Sequence, residues 1–219
     1  MSQEKLLLEV YVYGLDGGLD MSEHYYTSKP SARHDLHRLE ETLRGHKLTL
    51  VTDAGVFSKK GLDFGSKLLI ETMAIPRDAR VLDVGCGYGP IGLSAALLAD
   101  RGHVTMVDIN ERAVELSRHN AELNRIANVT ILQSDRLEEV KENVFDVVLT
   151  NPPIRAGKEV VHSIFEQAYE ALAAGGQLWV VIQKKQGAPS AVAKLETLFA
   201  EVTEVERDKG YWILKAVKQ

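Results

Sequence analysis

Beyond Pro76 the chain settles into a regular exchange between short apolar runs and longer stretches with helical spacing. The runs Arg80–Gly85, His103–Ile109, Val129–Gln133, Phe145–Thr150 and Gln177–Gln183 predict strands. Between them, helices are predicted at Pro90–Ala99, Glu111–Asn124, Leu137–Lys141 and Lys158–Ala174. Asn110 suits the N-cap of the second of these, with Glu111 at its positive end. Gly175-Gly176 reads as a helix stop before the fifth strand. Strand–helix alternation with right-handed crossovers gives a parallel sheet covered on both faces. The end of the chain breaks this rhythm. After a helix over Ala188–Ala200, Val202–Glu206 and Tyr211–Val217 flank a short Arg207–Gly210 connection, a hairpin that turns the last strand antiparallel.

The first third is less regular. Leu6–Tyr13 is strand-like and Gly14–Gly18 is a turn; Met21-Ser22 reads as a second translation start, which makes residues 1–22 an appendage. His24–His37 is polar and irregular, Leu48–Thr52 is strand-like, and Asp53-Ala54-Gly55 and Lys59-Lys60-Gly61 are turn signals. Ser66–Met73 has amphipathic helical spacing. The expected organisation is an appendage (1–22), a substrate or cap region (23–75) and a cofactor-binding domain (76–219).

The fold class follows at Val81–Pro90, VLDVGCGYGP, where a strand ends and Gly85, Gly87 and Gly89 alternate before a proline. Glycine allows a sharp turn and close approach of backbone to a ligand, and proline suits the first position of a helix. Strand, glycine turn and helix together mark the ligand loop of a Rossmann-like, doubly wound α/β sheet. Seven strands are expected, with the C-terminal antiparallel hairpin and a small N-terminal extension. The glycine spacing leaves a dinucleotide cofactor open, although Pro90 stands where such a loop wants its third glycine. No phosphate loop ending in Gly-Lys-Ser/Thr is present. Asp108 ends the second strand, 21 residues after Gly87, where a carboxylate can accept from both ribose hydroxyls of an adenosine. Asp135, followed by Arg136, is placed to meet an adenine amine or to cap the short helix after it.

Asn151-Pro152-Pro153-Ile154 closes the fourth strand. Two prolines remove two backbone donors and stiffen the turn, and the residue before a proline is driven extended. The Asn151 side-chain oxygen and the Pro152 carbonyl can then both accept from one –NH₂ group. An amine conjugated to a ring or carbonyl is a weak nucleophile. Two acceptors that draw its hydrogens out of plane localise its lone pair toward an electrophile.

Composition adds bounds. The 219 residues carry a net charge of −5, which argues against a strong nonspecific grip on nucleic acid. His24–Lys67 nevertheless holds eight basic and five acidic side chains, net +3, with four histidines besides. The single cysteine, Cys86, excludes an intrachain disulfide and reads as loop packing. No apolar run approaches a membrane span and the N-terminus lacks a secretory pattern, so a cytoplasmic location is expected. His34-x-x-His37 has no evident further ligands, so no metal is expected.

DVGCGYG, VDIN and NPPI in this order resemble the motifs of class I S-adenosylmethionine-dependent methyltransferases. EHYYTSKPSA, VTDAGVFSKKGLDFGSKLLIE, NPPIRAGK and QKKQGAPSA with GYWILKA extend the resemblance to the small-domain group. That group includes the ribosomal RNA small-subunit methyltransferase C family, which modifies guanine N2 in 16S ribosomal RNA. The resemblance implies S-adenosylmethionine as cofactor and ribosomal RNA or the small ribosomal subunit as partner. It implies a cofactor site of Asp83, Gly85, Cys86, Gly87, Gly89, Asp108, Ile109, Asp135, Arg136 and Asn151, with Pro90 at a helix N-terminus facing the cofactor carboxylate. Asn151, Pro152, Pro153 and Ile154 form the implied catalytic set; Phe64, Arg155 and Lys158 are candidate substrate contacts, and Asp63–Ser66 a cap over the pocket. Ile154 departs from the aromatic residue that many amine methyltransferases carry after NPP; Tyr25, Tyr26, Phe57 and Phe64 are candidates to replace it. Rival readings are an adenine-N6 or protein-glutamine methyltransferase, a non-catalytic RNA-binding or assembly module, and a dinucleotide oxidoreductase.

Overall fold

The structure is a computed structural model and describes residues 34–56 and 61–219. The expectations for Leu6–Tyr13, Gly14–Gly18, Tyr25, Tyr26, Phe57 and Lys59-Lys60 lie outside the described residues. Two antiparallel strands come first, β1 (His37–Leu43) and β2 (His46–Thr52). Helix α1 (Phe64–Thr72) leads into the alternating body: β3 (Arg80–Val84), α2 (Pro90–Leu98), β4 (His103–Asp108), α3 (Glu111–Leu123), β5 (Val129–Gln133) and β6 (Phe145–Thr150). Then follow α4 (Lys158–Ala171), β7 (Leu172–Gln183), α5 (Ala188–Glu196), β8 (Glu201–Asp208) and β9 (Tyr211–Val217).

Seven strands lie in the order β5-β4-β3-β6-β7-β9-β8, parallel except where β9 runs antiparallel to both neighbours. This is the expected Rossmann-like sheet with its C-terminal hairpin. Strand order reverses between β3 and β6, which pair with Val84 opposite Thr150. The residues just beyond this pair are Gly85 and Asn151, so the two motifs meet at the topological switch point, where such sheets bind ligands. The Thr150 hydroxyl donates to the Val84 carbonyl at 2.9 Å and locks the two strand ends together.

Several local expectations need correction. Leu137–Lys141 forms only a 3₁₀ turn at Glu138–Val140, because so short a segment closes i→i+3 bonds and little else. Helix α4 stops at Ala171 rather than Ala174, and Gly175-Gly176 lies inside β7, not at a helix end. The cause is distant in sequence. The Lys218 ammonium donates to the carbonyls of Tyr169 and Leu172, both at 2.7 Å, and so caps the helix. The Lys218 backbone then pairs with Gly175 and Gly176, and Leu172 opposes Phe145 across an irregular register. Helix α5 ends at Glu196, short of Ala200. At the other end of the chain, His37 opens β1 rather than ending an irregular stretch; Arg44 and Gly45, with φ of 51° and 81°, make the tight hairpin turn.

The hairpin joins the main body through the same apolar cluster: Leu43, Leu48 and Leu50 pack with Leu69 and Ile70 of α1 and the α2 face of the sheet. Asn120 of α3 and Asn124 at its C-cap pin it there. Asn120 accepts from the Val51 N–H at 2.7 Å and donates to the carbonyls of Val51 (2.9 Å) and Tyr88 (2.8 Å). Asn124 accepts from the Thr49 N–H at 2.9 Å and donates to its carbonyl at 2.7 Å. Spaced one helical turn apart, the two amides stand in for a neighbouring strand along the free edge of β2. Among the described residues, no helix is long and apolar enough to cross a membrane.

Asp83, in the middle of the sheet, is fully buried. Neither of its carboxyl oxygens has a partner in strict hydrogen-bond geometry, and the nearby Gly92 N–H offsets part of the cost of burial. Burial, with a smaller push from the Asp108 charge, raises its pKa to about 7. The folded protein therefore holds a proton that the unfolded chain has lost between about pH 4 and about pH 7, and stability falls as pH rises through that window.

Two outcomes are expected. Asn120→Ala leaves buried backbone groups of Val51 and Tyr88 unpaired and should cost about 2–4 kcal/mol in denaturant unfolding. Wild type should lose stability relative to Asp83→Asn from pH 5 to pH 8, by about 2–3 kcal/mol, read from paired unfolding curves.

Candidate active site

A cavity of about 700 Å³ opens at the carboxyl edge of the sheet, over the switch point. Its floor is the glycine loop. Gly85 and Gly87 have φ of 75° and 58°, and a Cβ added at either would point into open space. Strain, not crowding, demands glycine there, and the bare backbone faces the cavity. Gly89 differs: it lies off the wall, has φ 99°, and a Cβ there would crowd Ser117 and Met106, so it serves the packing of α2. Pro90 follows as the first residue of α2, whose N-terminal turn borders the cavity.

Asp108 enters the cavity from the end of β4. One carboxyl oxygen accepts from the Gly87 N–H at 2.8 Å and the other from the Asn110 N–H at 2.9 Å. Burial pushes its pKa up, while the N–H groups of Asn110, Gly87 and Ile109 oppose the shift. Each oxygen retains acceptor capacity toward the cavity. Asp135 reaches the same wall but is exposed, with Arg136 bidentate on its carboxylate at 2.9 and 3.1 Å. Arg136 has φ 53° and also donates to Ser163 Oγ at 2.8 Å.

Opposite the glycine loop stand Asn151, Pro152, Pro153 and Ile154. The Asn151 Nδ2 group donates to Ser66 Oγ at 3.0 Å and lies 3.4–3.5 Å from both oxygens of Asp63. A carboxylate only accepts, so the –NH₂ end of the amide is turned toward α1 and the carbonyl end away from it. Within the described residues the Asn151 Oδ1 accepts no hydrogen bond, which leaves it available to an incoming donor.

Of the residues expected from sequence, Gly85, Cys86, Gly87, Asp108, Ile109, Asp135, Arg136, Asn151, Pro152, Pro153, Ile154 and Arg155 line this cavity. Asp83 does not; it lies buried beneath the loop. Phe64 also misses the wall, since it packs against Tyr211 with ring centroids 5.7 Å apart. Lys158 borders a smaller neighbouring cavity with His162 and Gln186. Cys86 is buried against Ser117, and burial raises its thiol pKa well above the usual range, so it is no nucleophile. Sequence reasoning missed Tyr88 and Tyr211. The glycine motif contained Tyr88, but only the packing of α1 shows its hydroxyl buried at the cavity without a partner. Tyr211 arrives from the hairpin and supplies the aromatic wall that Ile154 does not.

The cavity fits an adenosine-type cofactor: a bare glycine backbone, a helix N-terminus and a ribose-height carboxylate converge on one side of it. The comparisons agree. Residues 47–215 match the model of the family described as methyltransferase small domain. The uncharacterized protein YbxB of Bacillus subtilis is 56% identical over 200 residues, covering 90% of this chain and 100% of that protein. The ribosomal RNA large subunit methyltransferase G of Pseudomonas putida is 38% identical over 180 residues, covering 78% of this chain. This chain spans 46% of that relative, about half its length. Among solved structures, the 16S rRNA guanine-N2 methyltransferase RsmC of T. thermophilus, in complex with AdoMet and guanosine, superposes with a TM-score of 0.74 at 25% identity. That match covers 84% of this chain and 51% of RsmC. On the family match and on this site, the chain belongs to the methyltransferase small-domain family, whose cofactor is S-adenosylmethionine.

Proposed function

We propose that this protein methylates the exocyclic N2 amine of a guanine in ribosomal RNA, that of the small subunit (16S). The observation that carries the reading is the amide of Asn151, clamped by its nitrogen so that its oxygen is left open in a cavity that Pro152 also lines. When bound, S-adenosylmethionine supplies an electrophilic methyl group on a sulfonium. The chain's own residues do the rest. The backbone at Gly85–Gly87 and the α2 N-terminus hold the methionine end, Asp108 accepts from the ribose, and Asp135, already paired with Arg136, accepts from the adenine amine. Asn151 Oδ1 and the Pro152 carbonyl accept the two hydrogens of the target amine and turn its lone pair toward the methyl group. Because these acceptors are fixed before the reaction, stabilising the developing positive charge needs no reorganisation.

The rim supports a polyanionic substrate. Arg155 on the cavity wall and Lys158 beside the smaller neighbouring cavity are exposed and form no ion pair among the described residues. Such cations suit phosphate contacts that position an RNA without reading it. A base inside a helix cannot reach the cavity floor, so the target nucleotide is unstacked or in a loop. The large-subunit RNA is the second reading, favoured by the relatives of higher sequence identity.

The test is transfer of labelled methyl to naked ribosomal RNA and to assembled small and large subunits, followed by digestion to nucleosides. N2-methylguanosine is expected; N6-methyladenosine or label in protein would refute the assignment. Asn151→Ala should lower turnover by roughly 10²–10³-fold with cofactor affinity retained. Asp108→Ala should first weaken cofactor binding, by roughly tenfold or more in calorimetry.

A further inference from the structure

Asp63 does more in this site than start a helix. It is the N-cap of α1, where its Oδ1 accepts from the Ser66 N–H at 3.1 Å. It is also half-buried and lines the main cavity, with its carboxylate against the amide of Asn151. Its other oxygen has only the long 3.4 Å contact to Asn151 Nδ2, which leaves acceptor capacity facing the cavity. The hydroxyls of Tyr88 and Tyr211 both feel its charge, so Asp63 sits among the cavity's other polar tips. An acid here sets a negative charge in the same cavity as an open acceptor. Serine or asparagine would cap as well without that charge.

The Asp63 carboxylate, 3.4 Å from Asn151 Nδ2, and the open Oδ1 of that same amide put two acceptors on one wall of the cavity. The complement is a pair of adjacent donors on one edge of a base. Guanine has them, the N1–H next to the N2 amine. Adenine places a bare N1 lone pair beside its N6 amine, cytosine a bare N3 beside its N4 amine, and a glutamine side chain a carbonyl oxygen beside its nitrogen. Each of these turns a lone pair toward the carboxylate, which is repulsive and leaves a buried acceptor unpaired. We infer that Asp63 is the specificity-determining residue of the site: its carboxylate accepts the N1–H of guanine while Asn151 and Pro152 hold the N2 amine. The inference rests on the guanine-N2 reading above, and it gives that reading a physical reason.

The test uses free nucleosides and the whole protein saturated with S-adenosylhomocysteine. Guanosine is compared with 2-aminopurine riboside, which keeps the 2-amine but lacks both the N1 hydrogen and the 6-oxygen, so the N1–H contribution is read as the change in preference between wild type and Asp63→Asn. Wild type should bind guanosine roughly tenfold or more tightly, the worth of a hydrogen bond to a charged acceptor. Asp63→Asn preserves the helix cap, and Ser66 Oγ still accepts from Asn151 Nδ2, so it should fold and hold S-adenosylhomocysteine as wild type does, with the preference reduced to within about threefold. An unchanged preference in Asp63→Asn, with N2-methylguanosine still formed on ribosomal RNA, overturns the role of Asp63 and leaves the guanine reading standing. Weakened S-adenosylhomocysteine binding with an unchanged preference would assign the carboxylate to the cofactor's ammonium instead. Absence of any guanosine preference in wild type would refute both.

Discussion

The site exists because β3 and β6 are parallel neighbours in one register. A parallel ladder brings all its carboxyl ends to one edge, and pairing Val84 with Thr150 sets the glycine loop and the Asn-Pro-Pro turn side by side there. A slip of one residue would invert every side chain on the strand and separate the two motifs. The buried Thr150 hydroxyl bonded to Val84 guards that register at the point where it matters. Everything else in the cavity is arranged around this pair of strand ends.

The N-terminal hairpin and α1 complete the arrangement from outside the sheet. Asn120 and Asn124 dock the hairpin by hydrogen-bonding along β2, so a strand edge that would otherwise be open is covered by side-chain amides. Asn120 also holds the Tyr88 carbonyl, which couples the hairpin to the glycine loop itself. Helix α1 then brings Asp63 and Ser66 onto Asn151. An asparagine amide is nearly symmetric in shape, so its direction depends on what its nitrogen can donate to. A carboxylate and a hydroxyl on one side settle it.

Three acids near the cofactor side occupy different environments. Asp83 is buried without partners and holds its proton near neutrality; Asp108 is half-buried but braced by backbone donors; Asp135 is exposed and matched by Arg136. The gradient from buried to exposed runs from beneath the glycine loop toward the rim. Solvation and hydrogen bonding, more than sequence position, decide what each can bind.

The sequence by itself determined the sheet, the order of its motifs and most of the cavity wall. Strand alternation, glycines, prolines and caps are local signals, written in residues a few positions apart. Asp108, Asn151 and the glycine loop were legible for that reason, as was the hairpin at the end. Tertiary structure decided the rest, because those features depend on contacts far apart in the chain. The early end of α4 depends on Lys218, nearly fifty positions away, and β1 becomes a strand through its pairing with β2 and the docking of β2 on α3. Asp83 carries the motif's signature yet lies beneath the wall, while Tyr211 carries no signature and stands on it. Asp63 and Asn151 are 88 residues apart, and no local pattern links them; only the packing of α1 over the switch point brings a carboxylate against that amide.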